Sequence, residues 1–361
     1  MKRFYRLISL PLEILLILSS LIGGWKLIEP HTGAVQYSIH TSLLIVLFII
    51  SILLHCLIQK AGTLAGGLLS GRKLIAYRFG KKNYVREKDK FYSRELLPEQ
   101  EIISSIMTKE KNESVLSWIL YLYGDVLCDF LLTLGCWSIL IKQNAFSSSG
   151  IYVFLLTFYF SGIITTIISL IPLYRADIPN NALLLVQMIL SPECRTDAQK
   201  TFDILRILSE ESLSEDFTLP DIDEQSFSSF KGYYLYHLYE IAIWYGNIEK
   251  ADLYISLLYQ HRHDLPEGFQ DLIQKEAICF LAVKGTEEDL SAIDLYFDEQ
   301  RRMRLEGSSG ADAKRCLYLW SSRQDDMKDQ SEIYYQQSIK QINNVPFRQA
   351  REGWMGTIIH G

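Results

Sequence analysis

Leu57–Gly71 reads Leu-Ile-Gln-Lys-Ala-Gly-Thr-Leu-Ala-Gly-Gly-Leu-Leu-Ser-Gly. It closes a long apolar run that starts near Thr41, and it sets Lys60 where a membrane-crossing helix ordinarily has no charge. A charge at that depth costs about 2.5–3.5 kcal/mol or more, so it is expected to face protein and not lipid. The same stretch holds two GxxxG spacings, Gly62/Gly66 and Gly67/Gly71. Small residues at that spacing let helices approach closely, either inside one bundle or across a homodimer.

Working outward, four apolar runs are long enough to cross a bilayer, each near the ~20 residues a spanning helix needs. They are predicted over 7–27, 41–57, 115–141 and 151–173, with helical character continuing from the second toward Gly71. Glu13 is an odd residue inside the first. Residues 59–113 carry 12 Lys and Arg, whereas the other two inter-span loops together carry one. Short positively charged loops stay on the cytoplasmic side. Both termini and the basic loop are therefore expected in the cytoplasm of a multi-pass cell-membrane protein. The first run lacks a signal-peptide cleavage pattern.

Inside the basic loop the pattern changes. Residues 73–80 alternate partly and end in Gly80, and Tyr84-Val85 and Phe91-Tyr92 follow in a charged setting. This predicts short strands with turns at Gly80 and Lys88-Asp89. Open strand edges cannot lie in hydrocarbon, so the strands are expected against the bundle or at the membrane interface.

The order of these landmarks resembles the site-2-protease-type intramembrane zinc metalloproteases of bacteria. The resemblance covers roughly residues 40–190. In that family a helix ends in His-Glu-x-Gly-His, then come a small-residue run, a strand, an Asn-bearing helix, and a Pro stretch before Asn-Asp-Gly. Here Ile58–Thr63, Gly66–Gly71, Leu74–Gly80, Tyr121–Asp129, Leu170–Leu173 and Ile178–Ala182 stand in that order. The resemblance implies that Gln59, Thr63 and Asn181 occupy zinc-ligand positions and Lys60 the general-base position. Open zinc sites activate water for attack on a carbonyl. Three neutral amide or hydroxyl side chains and a cation cannot do this, so the site reads as vestigial. Zinc is expected to be lost, with no metal and no cofactor. An alternative metal site would use His55, one turn before Gln59, with Asp125, Asp129 and Asn181.

Asp125 and Asp129 are four apart and share a helix face. Buried acids need partners, and the resemblance would place them near Lys60, so a buried ion pair of Lys60 with Asp125 or Asp129 is expected.

The chain changes character near residue 190. Residues 1–190 hold 18 Lys and Arg against 12 Asp and Glu, and residues 191–361 hold 18 against 30. An acidic soluble half argues against nucleic-acid binding, which needs a basic patch. The predicted domains are a membrane domain over 1–190 and a cytoplasmic helical-repeat domain over 191–361. In the latter, Asp197–Leu208 reads as a helix and Glu210–Asp223 as an acidic linker. Gly246–Ala251, Gly285–Leu290 and Gln324–Asp329 then recur at 39-residue spacing as breaks between helical stretches. Helix, turn, helix repeated predicts an α-solenoid, similar to tetratricopeptide repeats although their usual period is shorter. Tyr233, Tyr236 and Trp244 are candidate peptide-binding residues on a concave face. His261-Arg262-His263 reads as a solvated loop and 347–361 as a loosely attached tail. The six cysteines contain no CxxC pair, so reduced, buried thiols are expected.

The expected fold class is mainly α: a four-span bundle with a short β element after span two, plus a cytoplasmic α-solenoid. The expected function is a non-catalytic membrane scaffold or regulator. Its partners are the lipid bilayer and a membrane or cytoplasmic protein or peptide. The alternatives are an active intramembrane metalloprotease with an atypical metal site, and an accessory subunit of a peptide export or transport system.

Overall fold

The computed structural model describes residues 37–109, 114–142, 150–172, 174–175, 178–213, 217–222, 227–285, 297, 299–324 and 327–360. The predicted span over 7–27 lies outside them. The described residues are mainly helical, with thirteen α-helices and a small antiparallel sheet. The chain forms two compact units: residues 1–73 with 111–191, and residues 74–110 with 192–361.

In the first unit α1 runs over Tyr37–Leu69. It ends where Gly71 takes a φ of 77° and the Arg72 N–H reaches back to the Gly67 carbonyl at 3.0 Å, closing the last turn as glycine after a helix commonly does. The run predicted as one span over 115–141 is two helices, α2 (Val115–Leu122) and α3 (Gly124–Lys142), with a break at Tyr123. Helix α4 covers Gly150–Leu170. A two-strand ribbon, β5 (Tyr174–Arg175) and β6 (Ile178–Pro179) in the strand numbering used below, leads into α5 (Asn181–Leu190). Among the described residues, three helical segments are long and apolar enough to cross a membrane: Leu43–Leu69, Gly124–Ile141 and Val153–Leu170.

Glycine backbones set the crossing of α1 with α2 and α3. A methyl on Gly66 would strike the Leu120 carbonyl oxygen, and one on Gly62 would lie 2.9 Å from the Asp125 Cα. Both obstacles involve backbone, which cannot swing aside. At this pair of glycines the GxxxG spacing therefore serves packing inside the bundle. Gly66→Ala is expected to lower stability by about 1–3 kcal/mol through overpacking, measured as a fall in the thermal unfolding midpoint of detergent-solubilised protein. At the C-terminal end of α1 the buried Arg72 guanidinium lies 4.1 Å from the Trp118 ring centre and 4.5 Å from that of Tyr121. These stackings tie the end of α1 to α2.

In the second unit β1 (Lys73–Phe79), β2 (Lys82–Glu87), β3 (Lys90–Arg94) and β4 (Ser105–Thr108) form one sheet in the order β3-β2-β1-β4. The register pairs Tyr77 with Tyr84 and Val85 with Tyr92. The turns fall at Gly80 and at Lys88, both at positive φ, as the sequence predicts. Residues 74–110, expected as a loop of the membrane domain, fold with the second unit, where β2 and β4 pack on α6 (Pro192–Glu210).

The remaining helices are α7 (Ser229–Trp244), α8 (Ile248–Gln260), α9 (Glu267–Lys284), α10 (Glu299–Gly307), α11 (Ala311–Ser321), α12 (Lys328–Ile342) and α13 (Arg348–His360). Breaks fall after α7 at Gly246, after α9 at Gly285 and between α11 and α12, at the three positions the 39-residue spacing marks. Among the described residues, consecutive helices pack on one another from α6 to α9 and from α10 to α13, α9 packs on α11, and the chain end turns back: α13 packs on α7, α9 and α11. In a simple solenoid each repeat touches only its neighbours. The tail expected to be loose is this helix. Ala350, Trp354 and Ile358, four apart on one face, are only 3%, 4% and 1% exposed. The sequence hides this because apolar residues occur on one stripe alone, between polar neighbours.

Candidate functional site: a polar cluster inside the bundle

Helix α1 carries Ser51, His55, Gln59 and Thr63 at intervals of four, so all four lie along one side. Ser51, His55 and Thr63 are buried. Asp125, Asp129 and Thr133 face them from α3, and Ser161, Thr165, Thr166 and Ser169 line α4. Polar groups cut off from water need hydrogen-bond partners, and most of these find one, although the buried Ser51 hydroxyl has none among the described residues.

Asp129 is the hub. Its Oδ1 pairs with His55 Nδ1. Its Oδ2 accepts from Gln59 Nε2 at 2.9 Å and from the Thr165 hydroxyl at 2.7 Å. The other ring nitrogen of His55 donates to the Phe158 carbonyl at 2.9 Å, and the ring stacks on Phe158 with centroids 4.0 Å apart. Gly162 makes room for this ring: a methyl there would lie 2.7 Å from His55 Cε1. Gln59 also donates to Ser169 at 3.2 Å.

Asp125 is held differently. The break at Tyr123 makes Gly124 the start of α3, so Asp125 sits in a first helical turn whose N–H groups point at it. A carboxylate is favoured at that end of the helix dipole. Its Oδ1 accepts from the Val126 N–H at 2.7 Å, and its Oδ2 accepts from Asn181 Nδ2 at 2.9 Å. Asn181 reaches it from the first turn of α5, whose cap is the neighbouring Asn180, accepting from the Leu183 N–H at 3.0 Å.

The positions marked by the metalloprotease resemblance thus meet the acids of α3 in part. Gln59 bonds Asp129, Asn181 bonds Asp125, and Thr63 turns its hydroxyl back to the Gln59 carbonyl at 3.2 Å. Lys60 does not join them. It is exposed, and among the described residues it forms no ion pair with Asp125 or Asp129. One residue past Gln59 means about 100° around the helix, away from the polar side. The side chain that meets Asp129 is supplied one turn earlier, by His55. Among the described residues no group of three or more His, Cys, Asp or Glu side chains is placed to hold a metal ion.

In the second unit the candidate binding residues lie within packed structure. Tyr233 and Tyr236 are buried on α7 against Phe269, with ring centroids 4.6 and 5.6 Å away. Trp244 is half-buried and its Nε1 donates to Glu352 of α13 at 3.0 Å. The sequence reading missed a buried ionic group beside them. His237 of α7 donates to Glu99 at 2.7 Å and to Glu240 at 2.9 Å. Glu99 lies in the short 3-10 turn Pro98–Glu101, between β3 and β4. His237 and Glu240 stand three apart, the one local signal that could have marked the group.

No protein-family model, no curated protein and no solved structure matches the chain.

Proposed function

We propose that this protein is a non-catalytic membrane scaffold or regulator, built on a bundle of the intramembrane-metalloprotease type that has lost its zinc ligands and general base, with the second unit recruiting partners. The observation that carries this reading is the engagement of Gln59 and Asn181. Two of the three positions that would hold metal are turned onto carboxylates, at 2.9 Å in each case, and the third, Thr63, bonds the Gln59 carbonyl. A carboxylate that accepts from amides and a hydroxyl and pairs with an imidazole has its lone pairs occupied. Lys60, at the base position, is a cation and cannot take a proton from water. The protein purified in detergent is expected to hold zinc well below one per chain and to leave intact a transmembrane peptide offered as substrate.

A second reading is favoured by one contact, that of His55 with Asp129. An atypical metal site would recruit this pair with Asp125, one turn away on α3. Stoichiometric zinc that disappears on His55→Ala would overturn the first reading and establish the second.

A further inference from the structure

We propose that the inner face of α7, α9 and α11 is the docking surface of the second unit, that α13 is its resident occupant, and that the partner is a basic amphipathic helix with an aromatic anchor that displaces α13. This rests on the reading of the second unit as the recruiting part of the protein.

Three features show that α13 fills its seat imperfectly. Trp354 Nε1 and Gln349 Oε1 are buried and have no hydrogen-bond partner among the described residues. Buried polar atoms left unpaired are rare, and each forfeits a hydrogen bond that it would make in water. Phe347, which leads into α13, has a φ of 62°. Side chains other than glycine seldom adopt that conformation and pay strain for it. A cavity of about 190 Å³ remains at the foot of the helix, bordered by Glu95, Tyr236, Glu240, Asp312, Phe347 and Trp354. A competitor that fills this space and leaves no buried polar atom of its own unpaired would hold the face better than α13 does.

The chemistry of that competitor is written in α13 itself. Arg351 donates both terminal nitrogens to Glu87, at 2.7 and 3.0 Å. Three residues on, the Trp354 ring lies 3.8 Å from the Arg315 guanidinium. Gly353 brings the helix against the α7 backbone, its would-be methyl 3.3 Å from the Trp244 nitrogen. The cavity adds three carboxylates to the seat. His237 serves Glu240, and Lys275 serves Asp312 at 2.8 Å and Asp271 at 2.6 Å. Among the described residues the Glu95 carboxylate accepts a hydrogen bond from the Ala311 N–H alone, at 3.0 Å, with the Lys275 charge acting on it from a distance. Burial outweighs that bond and pushes Glu95 up to about 7. A basic side chain entering the cavity would meet this carboxylate. Residues 191–361, with 30 acidic against 18 basic side chains, favour a basic partner in the same sense.

The test uses the full-length chain in detergent micelles and a fluorescein-labelled synthetic peptide of residues 345–361, read by anisotropy. The double variant Ile243→Cys/Gly353→Cys allows a disulfide to lock α13 to α7, because a Gly353 methyl would lie 3.4 Å from Ile243 Cγ2. Wild-type protein is expected to bind the peptide weakly. Locking should weaken binding at least tenfold, and dithiothreitol should restore it. Trp354→Ala in the protein should tighten binding at least tenfold, and Arg351→Glu in the peptide should weaken it at least tenfold. Equal binding by the locked and reduced forms overturns the proposal, as does a folded Trp354→Ala protein that binds no tighter than wild type. If Trp354→Ala does not fold, the locked and reduced forms decide alone. Zinc content and peptide cleavage test the scaffold reading separately, so a failure of docking leaves that reading standing.

Discussion

Replacing His237 with glutamine is expected to destabilise the second unit by on the order of 3–5 kcal/mol, the usual cost of removing one partner from a buried ionic group. His237 and Glu99 are essentially inaccessible, and Glu240 is nearly so. Both imidazole nitrogens face carboxylates, so the ring carries both hydrogens. Glutamine can donate to one acid but brings no charge, and two carboxylates would be left in a low-dielectric interior. Burial alone would push the imidazole down. The charge of Glu99 and the bonds to both acids outweigh it and raise His237 to about 10, from an ordinary 6.5. A raised value means that the stabilisation is full below about pH 6.5 and is lost as pH climbs through about 10. Glu87 behaves in the opposite way. Burial raises it, but Arg94 and Arg351 more than compensate and hold it at about 2, below its ordinary 4.5. Its contribution is present above about pH 4.5 and fades toward pH 2. Thermal melts across pH should therefore show His237→Gln well below wild type near neutrality and the gap closing above about pH 10. At about 2–4 °C per kcal/mol for a unit of this size, the neutral-pH difference is about 10 °C. A second change, Glu99→Gln, should recover part of it, since it removes one of the two stranded charges.

This ionic group also shows which parts of the chain are legible in its sequence. The apolar run that becomes α1, the turns at Gly80 and Lys88, and the helix breaks at Gly246 and Gly285 are local signals. Each is set by residues within a turn or two, and each can be read directly. The assignment of residues 74–110 to the second unit is not local. It depends on Glu99 meeting His237, 138 positions away, and on Glu87 meeting Arg351, 264 positions away. A charge count read this segment as a basic membrane loop because it cannot see which charges are paired. The candidate site was legible as a set of residues but not as a set of pairs. Gln59, Asn181, Asp125 and Asp129 all belong to the polar cluster. Lys60 reads as the counter-charge because it is the one fixed cation near the acids in the sequence, whereas the partner of Asp129 is His55, one turn away. The break at Tyr123, which gives Asp125 its free N–H groups, has no strong mark in a run of apolar and aromatic residues. The C-terminal stretch shows the same limit: residues 347–361 read as a loosely attached tail, and only the long-range contacts of α13 mark it as a packed helix.

Asp129→Leu is expected to be the most damaging single change in the first unit. It strands His55 between a leucine and the Phe158 carbonyl, and it removes the acceptor of both Gln59 and Thr165. Gln59 keeps Ser169, and Thr165 keeps the Gly162 carbonyl at 3.1 Å, so the main loss falls on His55. Breaking a buried pair on one side costs on the order of 3–5 kcal/mol. Asp129→Asn retains an acceptor and should cost less, about 1–3 kcal/mol for the altered hydrogen bonding. The double change His55→Leu/Asp129→Leu should cost less than the sum of the two single changes, because neither partner is left alone. A coupling of 0.5–3 kcal/mol is typical of residues in direct contact. Lys60→Met should shift the unfolding midpoint little, since Lys60 is exposed and outside the cluster. The comparison, made by thermal unfolding in one detergent, separates two accounts of this bundle. If the contact of His55 with Asp129 holds the bundle, their coupling is large and Lys60 is silent. Additive losses at positions 55 and 129, or a large loss at Lys60, would mean that the sequence-derived ion pair holds the bundle and that the polar cluster does not.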